Sequence, residues 1–415
     1  MATFAWSALP SELHALIVGR LECADLAALR ACDRATRDTV DKHALTMRLR
    51  GWAAHALQLG ERLPDLMATL LSNNLRRLEI VVQNTGECSD VCKFLKRHKN
   101  AFAAVNHLVL KCVEGATSYF YRDNDDMFEV FESTMPAVTH IEIDNCRFLC
   151  DMISVETIES VTVTNNSFDN SELTLPERWP SLRRLCLCKR TSIWVQPWYE
   201  HRDMQSTQWS MEELRLEDCL FQENVLPWFR AREVALIRVS LGPRNEFNAY
   251  GDHHVSIMES LDIFDSDAFL WFMLEQMPPL FRGMRRMSLR TQHDDPHDPF
   301  RIDGMWQHVA PTLTELTLRG AFVFDPTELA KLSCLTRLTC HVRGDLDFLM
   351  SILTSTSASD VTLVAVGDCS NANDTHQLKM DQIVNAHPKR IRVLLAAGFH
   401  VDVEHAVSLI DTSSA

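Results

Sequence analysis

A few groups of residues have types and spacings that chemistry could use. The run His293-Asp294-Asp295-Pro296-His297-Asp298 places imidazoles and carboxylates close together, the donor types of a divalent-metal loop. A flexible, proline-broken acidic loop more often stays solvated, because nothing holds its ligands convergent. Cys88 with Cys92, and Cys146 with Cys150, share Cys-x3-Cys spacing, but no matching His or Cys set completes a tetrahedral site. Cys186 and Cys188 flank Leu187, so in a strand both thiols stand on one outward face. No phosphate-binding Walker loop, dinucleotide glycine motif, Gly-x-Ser-x-Gly elbow or His-Glu-x-x-His is present. With no nucleophile placed beside a base, the chain reads as non-enzymatic, with no cofactor and no metal.

The elements that must position such residues follow from the pattern of apolar positions. The chain has 415 residues, 46% of them hydrophobic and 23% charged, with only 13 glycines, which is globular composition. The formal net charge of -15 argues against a sequence-independent nucleic-acid binder or an anionic-membrane binder. The N-terminal stretch MATFAWSALPSEL has neither the basic start of a signal peptide nor the arginines of a transit peptide. No apolar run approaches the ~18 residues that a membrane span needs. The expected setting is cytoplasmic or nuclear, with the 13 cysteines as thiols.

From Leu75 onward the pattern apolar-x-x-apolar-x-apolar recurs. It reads LRRLEI at 75, VNHLVL at 105, VTHIEI at 138, IESVTV at 158, LRRLCL at 182 and MEELRL at 211. It continues as AREVAL at 231, MESLDI at 258, MRRMSL at 284, LTELTL at 313, LTRLTC at 335 and SDVTL at 359–363. PKRIRVLL near 388–395 is a further, degraded copy. Spacings of 20 to 33 residues are those of a leucine-rich repeat. Each strand buries its first, fourth and sixth positions, and since one repeat cannot cover its own apolar face, the units must stack. Cys146 and Cys219, and Asn166, stand three residues past the last strand apolar, where such repeats bury Asn or Cys in the turn. Helical stretches alternate with the strands at 90–104, 126–135, 267–280, 326–332 and 345–354, several opening on Asp as N-cap. The expected fold is α/β: a leucine-rich-repeat solenoid with a curved parallel sheet inside and helices and loops outside. The register at 231–241 stays open, since Val234/Ile237/Val239 fits as well as Ala231/Val234/Leu236.

Residues 9–40 carry a different pattern. Pro10 suits a first helical turn. Leu13, Leu16, Ile17 and Leu21 share a helical face, Asp25 caps a second helix with Leu26 and Leu29, and a third starts near Asp33. Leu9-Pro10, Glu12-Leu13, Ile17, Leu21, Asp25-Leu26 and Leu29-Arg30-Ala31-Cys32-Asp33-Arg34 together resemble the F-box, over roughly residues 5–45. The Trp that often follows the last Arg is replaced by Thr36. The chain as a whole thus resembles the F-box/leucine-rich-repeat family. The resemblance implies that Leu9, Pro10, Leu13, Ile17, Leu21 and Leu26 dock the Skp adaptor of a cullin-type ubiquitin ligase. The expected organisation is an F-box-like module of three helices at 1–45, linker helices at 46–74, about 12 repeats at 75–386 and a cap at 387–415.

In this register Glu142, Asp144, Glu213, Arg215, Glu217 and Asp262 face outward from the middle strands. Arg286, Arg290, Arg319, Arg337 and His341 do so from later ones, with Glu315 as the exception. The concave face is therefore expected to be acidic in the middle and basic toward its C-terminal end, where the four arginines are candidates to hold an acidic or phosphorylated partner segment. Insertions at 113–126, 189–210, 242–257 and 291–308 carry aromatics such as Trp194, Trp198, Tyr199, Trp209, Phe247 and Tyr250, candidate rim contacts. The resemblance implies a substrate-recognition subunit of a Skp–cullin–F-box ligase; the alternative is a structural scaffold in a fixed assembly with no ubiquitin role.

Overall fold

The computed structural model describes residues 9–18, 29, 32, 36, 39, 46–51, 54, 75–113, 125–145, 156–164, 180–188, 192–193, 211–221, 231–241, 258–276, 281–292, 300–302, 305–342, 346–366, 390–396 and 407–411. The chain forms two units, Met1–Trp209 and Ser210–Ala415.

In the first unit, six strands lie side by side in chain order, all parallel: β1 (Thr46–Arg50), β2 (Arg77–Val82), β3 (His107–Cys112), β4 (His140–Asp144), β5 (Ser160–Thr164) and β6 (Arg184–Cys188). Two apolar columns cross them. Met47, Leu78, Leu108, Ile141, Val161 and Leu185 are in register, and so are Leu49, Ile80, Leu110, Ile143, Val163 and Leu187. All twelve are buried. Adjacent apolar positions in one column bury each other, which is why a single repeat cannot stand alone. Among the described helices of this unit are α1 (Ser11–Val18), α2 (Thr85–Arg97) and α3 (Asp125–Thr134), with a short helical turn at Lys99–Phe102. α2 packs against β2 and α3.

β1 corrects the expectation of linker helices from residue 46. Thr46-Met47-Arg48-Leu49-Arg50 alternates buried and half-exposed positions, the period of a strand. It hydrogen-bonds to β2 and begins the sheet one repeat earlier than the pattern at Leu75. Gly51, just after it, is buried against α2, where a Cβ would lie 2.3 Å from the Cβ of Glu87.

The second unit repeats the plan with β7 (Met211–Glu217), β8 (Ala231–Ile237), β9 (Ser260–Phe264), β10 (Arg286–Arg290), β11 (Glu315–Arg319), β12 (Arg337–Val342), β13 (Asp360–Val366) and β14 (Arg390–Ala396), all parallel. β15 (Val407–Asp411) ends the sheet antiparallel to β14. Leu216, Leu236, Ile263, Leu289, Leu318, Cys340, Leu363 and Val393 form one buried column. This settles the register at 231–241: Ala231, Val234 and Leu236 are buried, and Ile237 is half-exposed.

Four of the described repeats share a joint. Asn145, Asp218, Arg238 and Asp265 each follow directly on a strand and have φ of 53°, 54°, 50° and 47°. Their backbone N–H groups donate to the last carbonyl of the next strand, at Thr164, Ile237, Phe264 and Arg290, over 2.7–2.9 Å. The next residue turns inward: Cys219, Val239 and Ser266 are all buried. Cys219 confirms the turn position read from the pattern, and its thiol donates to the Glu217 carbonyl at 3.2 Å. Cys146 and Asn166 lie outside the described residues.

The helices expected at 267 and 326 begin at Asp267 and Pro326, and the one expected at 126 begins at Asp125, but α2 begins five residues before the expected Asp90. α2 is capped by Asn84, whose Oδ1 accepts from the Glu87 N–H at 3.0 Å, while Glu87 Oε2 accepts from the Gln83 N–H at 2.8 Å. This reciprocal arrangement satisfies two exposed donors and outcompetes Asp90, five residues into the helix. Pro326–Lys331 is a 3-10 helix, capped by Asp325 through the Thr327 N–H. In the second unit α4 (Asp267–Gln276) and α5 (Leu346–Ser355) are also helical.

Candidate partner-binding surfaces

The strand alternation that buries one side of each sheet leaves the other side half-exposed, and polar side chains line it. On the first unit they form a chain of ion pairs. Glu79, buried on β2, sits between Arg48 of β1 at 3.0 Å and Lys111 of β3 at 3.3 Å. Glu142 on β4 reaches back across two strands to Arg77 on β2, which donates through both terminal nitrogens at 3.2 and 3.0 Å. The same carboxylate accepts from His107 Nε2 at 2.7 Å. Arg77 Nη1 lies 3.1 Å from His107 Nδ1. One tautomer satisfies all of this: Nε2 carries the proton toward Glu142 and Nδ1 accepts from Arg77. Donation by His107, with Arg77 beside it, holds the Glu142 carboxyl well below its usual range, at about 2.

His140 continues the row. Its ring is 5.8 Å from that of His107, its Nδ1 is 2.7 Å from the Thr139 hydroxyl, and its Nε2 is 3.5 Å from Arg184. Burial, reinforced by His107 and Arg184, pushes the His140 pKa down. Further along, Cys186 and Cys188 stand side by side on the outward face of β6, with Sγ atoms 3.4 Å apart. Glu142 and Asp144 thus do not form a bare acidic centre. Glu142 is neutralised by groups that sequence spacing does not link to it, since Arg77 is 65 residues away.

On the second unit the outward arginines are also engaged. Arg286 donates to Glu233 at 2.8 Å, across two strands. Arg290 contacts both oxygens of Asp262 at 2.9 and 2.8 Å and lies over the Phe264 ring, 5.1 Å from its centroid. Arg337 lies between Glu315 at 3.5 Å and Asp360 at 3.7 Å. Arg319 is half-exposed, aligned with Arg290 on the neighbouring strand. Arg215 pairs with Glu217 at 2.9 Å, and Arg238 with Glu217 at 3.1 Å and Asp218 at 2.9 Å. The face is therefore a mosaic of neighbouring opposite charges. The sequence reading of a basic end named Glu315 as its exception, but it did not set Glu233, Asp262 and Asp360 beside the arginines, as the register does. His341, expected to face outward, is buried, and its register partner Val364 is buried too. Here both faces of the strand are covered.

At the other end of the chain, α1 has both buried and exposed apolar residues. Its first turn closes on the Pro10 carbonyl, which accepts from the N–H groups of Leu13 and His14 at 3.1 Å. His14 and Val18, four residues apart, are buried, while Leu13 is 43% exposed. Pro10 is exposed, and Leu9 and Ile17 are half-exposed. A helix that turns Leu13 and Pro10 outward offers an apolar contact. Leu21 and Leu26 lie outside the described residues, as do 293–298, Cys150, and the aromatics from Trp194 to Trp209 and from Phe247 to Tyr250.

The described cysteines form no disulfide. Burial raises the thiol pKa of Cys88, and Cys112 and Cys92 nearby raise it further. Its Sγ donates to the Asn84 carbonyl at 3.4 Å, as a protonated thiol does. Burial likewise pushes Cys340 up to about 12. Among the described residues no group of three His, Cys, Asp or Glu side chains is arranged to hold a metal, and no helix is long and apolar enough to cross a membrane.

No known protein family matches the chain in sequence, and no curated protein does either. Among solved structures, a leucine-rich-repeat protein of Leptospira interrogans is similar at 10% identity with a TM-score of 0.36, over 80% of this chain and 93% of that one. The repeated register and burial described above give this chain its leucine-rich-repeat character.

Proposed function

We propose that this chain is a non-catalytic, protein-binding subunit of a Skp–cullin–F-box ubiquitin ligase. Its N-terminal module docks the Skp adaptor, and its repeat faces hold a protein substrate. The observation that carries the reading is the outward apolar face of α1, where Leu13 is 43% exposed beside exposed Pro10. A leucine held in water on a short helix is stabilised when a partner covers it. The mosaic of ion pairs supports a protein partner over a simple anion. An incoming phosphate must break Arg290–Asp262 or Arg286–Glu233, whereas a surface carrying both charges can exchange one set of pairs for another. The arginines at 286, 290, 319 and 337 remain the proposed contacts in the second unit.

The test is co-elution of the purified full chain with a Skp-type adaptor on a sizing column. The intact chain is expected to form a stable complex, and Leu13→Glu to lose it while keeping the wild-type circular dichroism spectrum. An intact chain that does not bind the adaptor overturns the ligase reading and favours the fixed scaffold.

A further inference from the structure

We propose that Cys186 and Cys188 form a chelating dithiol, a site for a thiophilic three-coordinate centre such as a monosubstituted trivalent arsenical. β6 places Leu185 and Leu187 in the core, and so both cysteines on the half-exposed side, with their sulfurs 3.4 Å apart. Their register neighbours on β5 are Thr162 and Thr164, small uncharged side chains.

Geometry distinguishes chelation from a disulfide. Residues two apart in a strand are separated by about 6.4–6.8 Å between Cα atoms. That is the far limit of disulfide geometry, which also needs sulfurs at about 2.05 Å. Closing from 3.4 Å to that distance requires bending a strand whose residues are paired in register with β5. A trigonal-pyramidal central atom bonded to both sulfurs at about 2.3 Å, with an angle of about 100° between them, sets them about 3.5 Å apart. The observed separation is close to that bite, so little rearrangement is needed. A four-coordinate cation would need further protein ligands, and no such group of three or more exists among the described residues. A monosubstituted trivalent arsenical brings its own third substituent and needs only the two sulfurs.

The step balances without an oxidant. Phenylarsine oxide and two thiols give a phenyl dithioarsinite and water: two As–S bonds form, the As–O bond breaks, and the oxygen leaves with both thiol protons. The test uses the full-length reduced chain and phenylarsine oxide, with adducts counted by intact-mass spectrometry. Cys186→Ser, Cys188→Ser and the double variant are each expected to lose one bidentate adduct relative to wild type. In wild type, ethanedithiol should strip that adduct while excess monothiol leaves it. Each single variant should bind at that position at least ~100-fold more weakly, as expected when the second bond is no longer intramolecular. An unchanged adduct count in the double variant overturns the proposal. So does rapid formation of a Cys186–Cys188 disulfide with one equivalent of peroxide, because the strand would then be free to close.

Discussion

Replacing Glu142 by glutamine keeps its shape and an acceptor oxygen but removes the charge that Arg77 and His107 converge on. Holding the carboxyl at about 2 rather than 4.5 corresponds to about 3.4 kcal/mol when nothing screens it. The Glu142 side chain is 37% exposed and Arg77 34%, so water screens the interaction and the expected loss is about 1–1.5 kcal/mol at neutral pH. The pH dependence follows from the sign of the shift. The folded value is depressed, so the stabilisation is complete above the ordinary value of 4.5 and is lost as pH falls toward about 2. Urea denaturation of wild type and Glu142→Gln, followed by far-UV circular dichroism from pH 7 to pH 2.5, reads this directly. The two unfolding curves should be separated at pH 7 and converge in acid. Equal stability at pH 7, or a gap that stays constant down to pH 2.5, refutes the assigned geometry around Glu142.

Ser266→Ala should cost about 1–3 kcal/mol, because the buried Val239 N–H loses the hydroxyl that accepts from it at 2.8 Å; denaturation midpoints measure the loss. Gly51→Ala should destabilise the first unit by about 1–3 kcal/mol, since the new Cβ falls 2.3 Å from the Cβ of Glu87. Greater proteolytic sensitivity around α2 checks this, and an unchanged cleavage rate contradicts it. Asp262→Arg and Arg290→Asp should each weaken the second unit by about 0.5–1 kcal/mol and partly compensate when combined, in a double-mutant cycle whose coupling shrinks in high salt.

The repeat was legible because its physics is local: the first, fourth and sixth positions are apolar wherever a strand must face the core. MESLDI and MRRMSL announce Met258, Leu261, Ile263, Met284, Met287 and Leu289, and all six are buried. β1 was missed because its five residues stand beside a long helix-compatible stretch, and only pairing with β2 favours their two-residue period. The outward face was half legible. Spacing told which residues point out, but not that Glu233 meets Arg286 or that Glu142 meets Arg77. Those contacts join residues 53 and 65 positions apart, and they exist only once the strands are stacked in register. His341 read as exposed because strand alternation shows which side a residue takes, not whether that side is itself covered, and both His341 and its register neighbour Val364 are buried.

The joint after β4, β7, β8 and β9 has a consequence for how such a chain can change over time. Its backbone N–H is closed on the following strand before the connecting segment begins. The sheet therefore does not register how long that segment is, and the entropic cost of lengthening a loop grows only slowly. Insertions and deletions between Leu241 and Met258, for example, should be nearly neutral for the strands on either side. Length variation, new epitopes and inserted tags can accumulate in these segments while the stacked core is conserved, so divergence can proceed by insertion as well as by substitution.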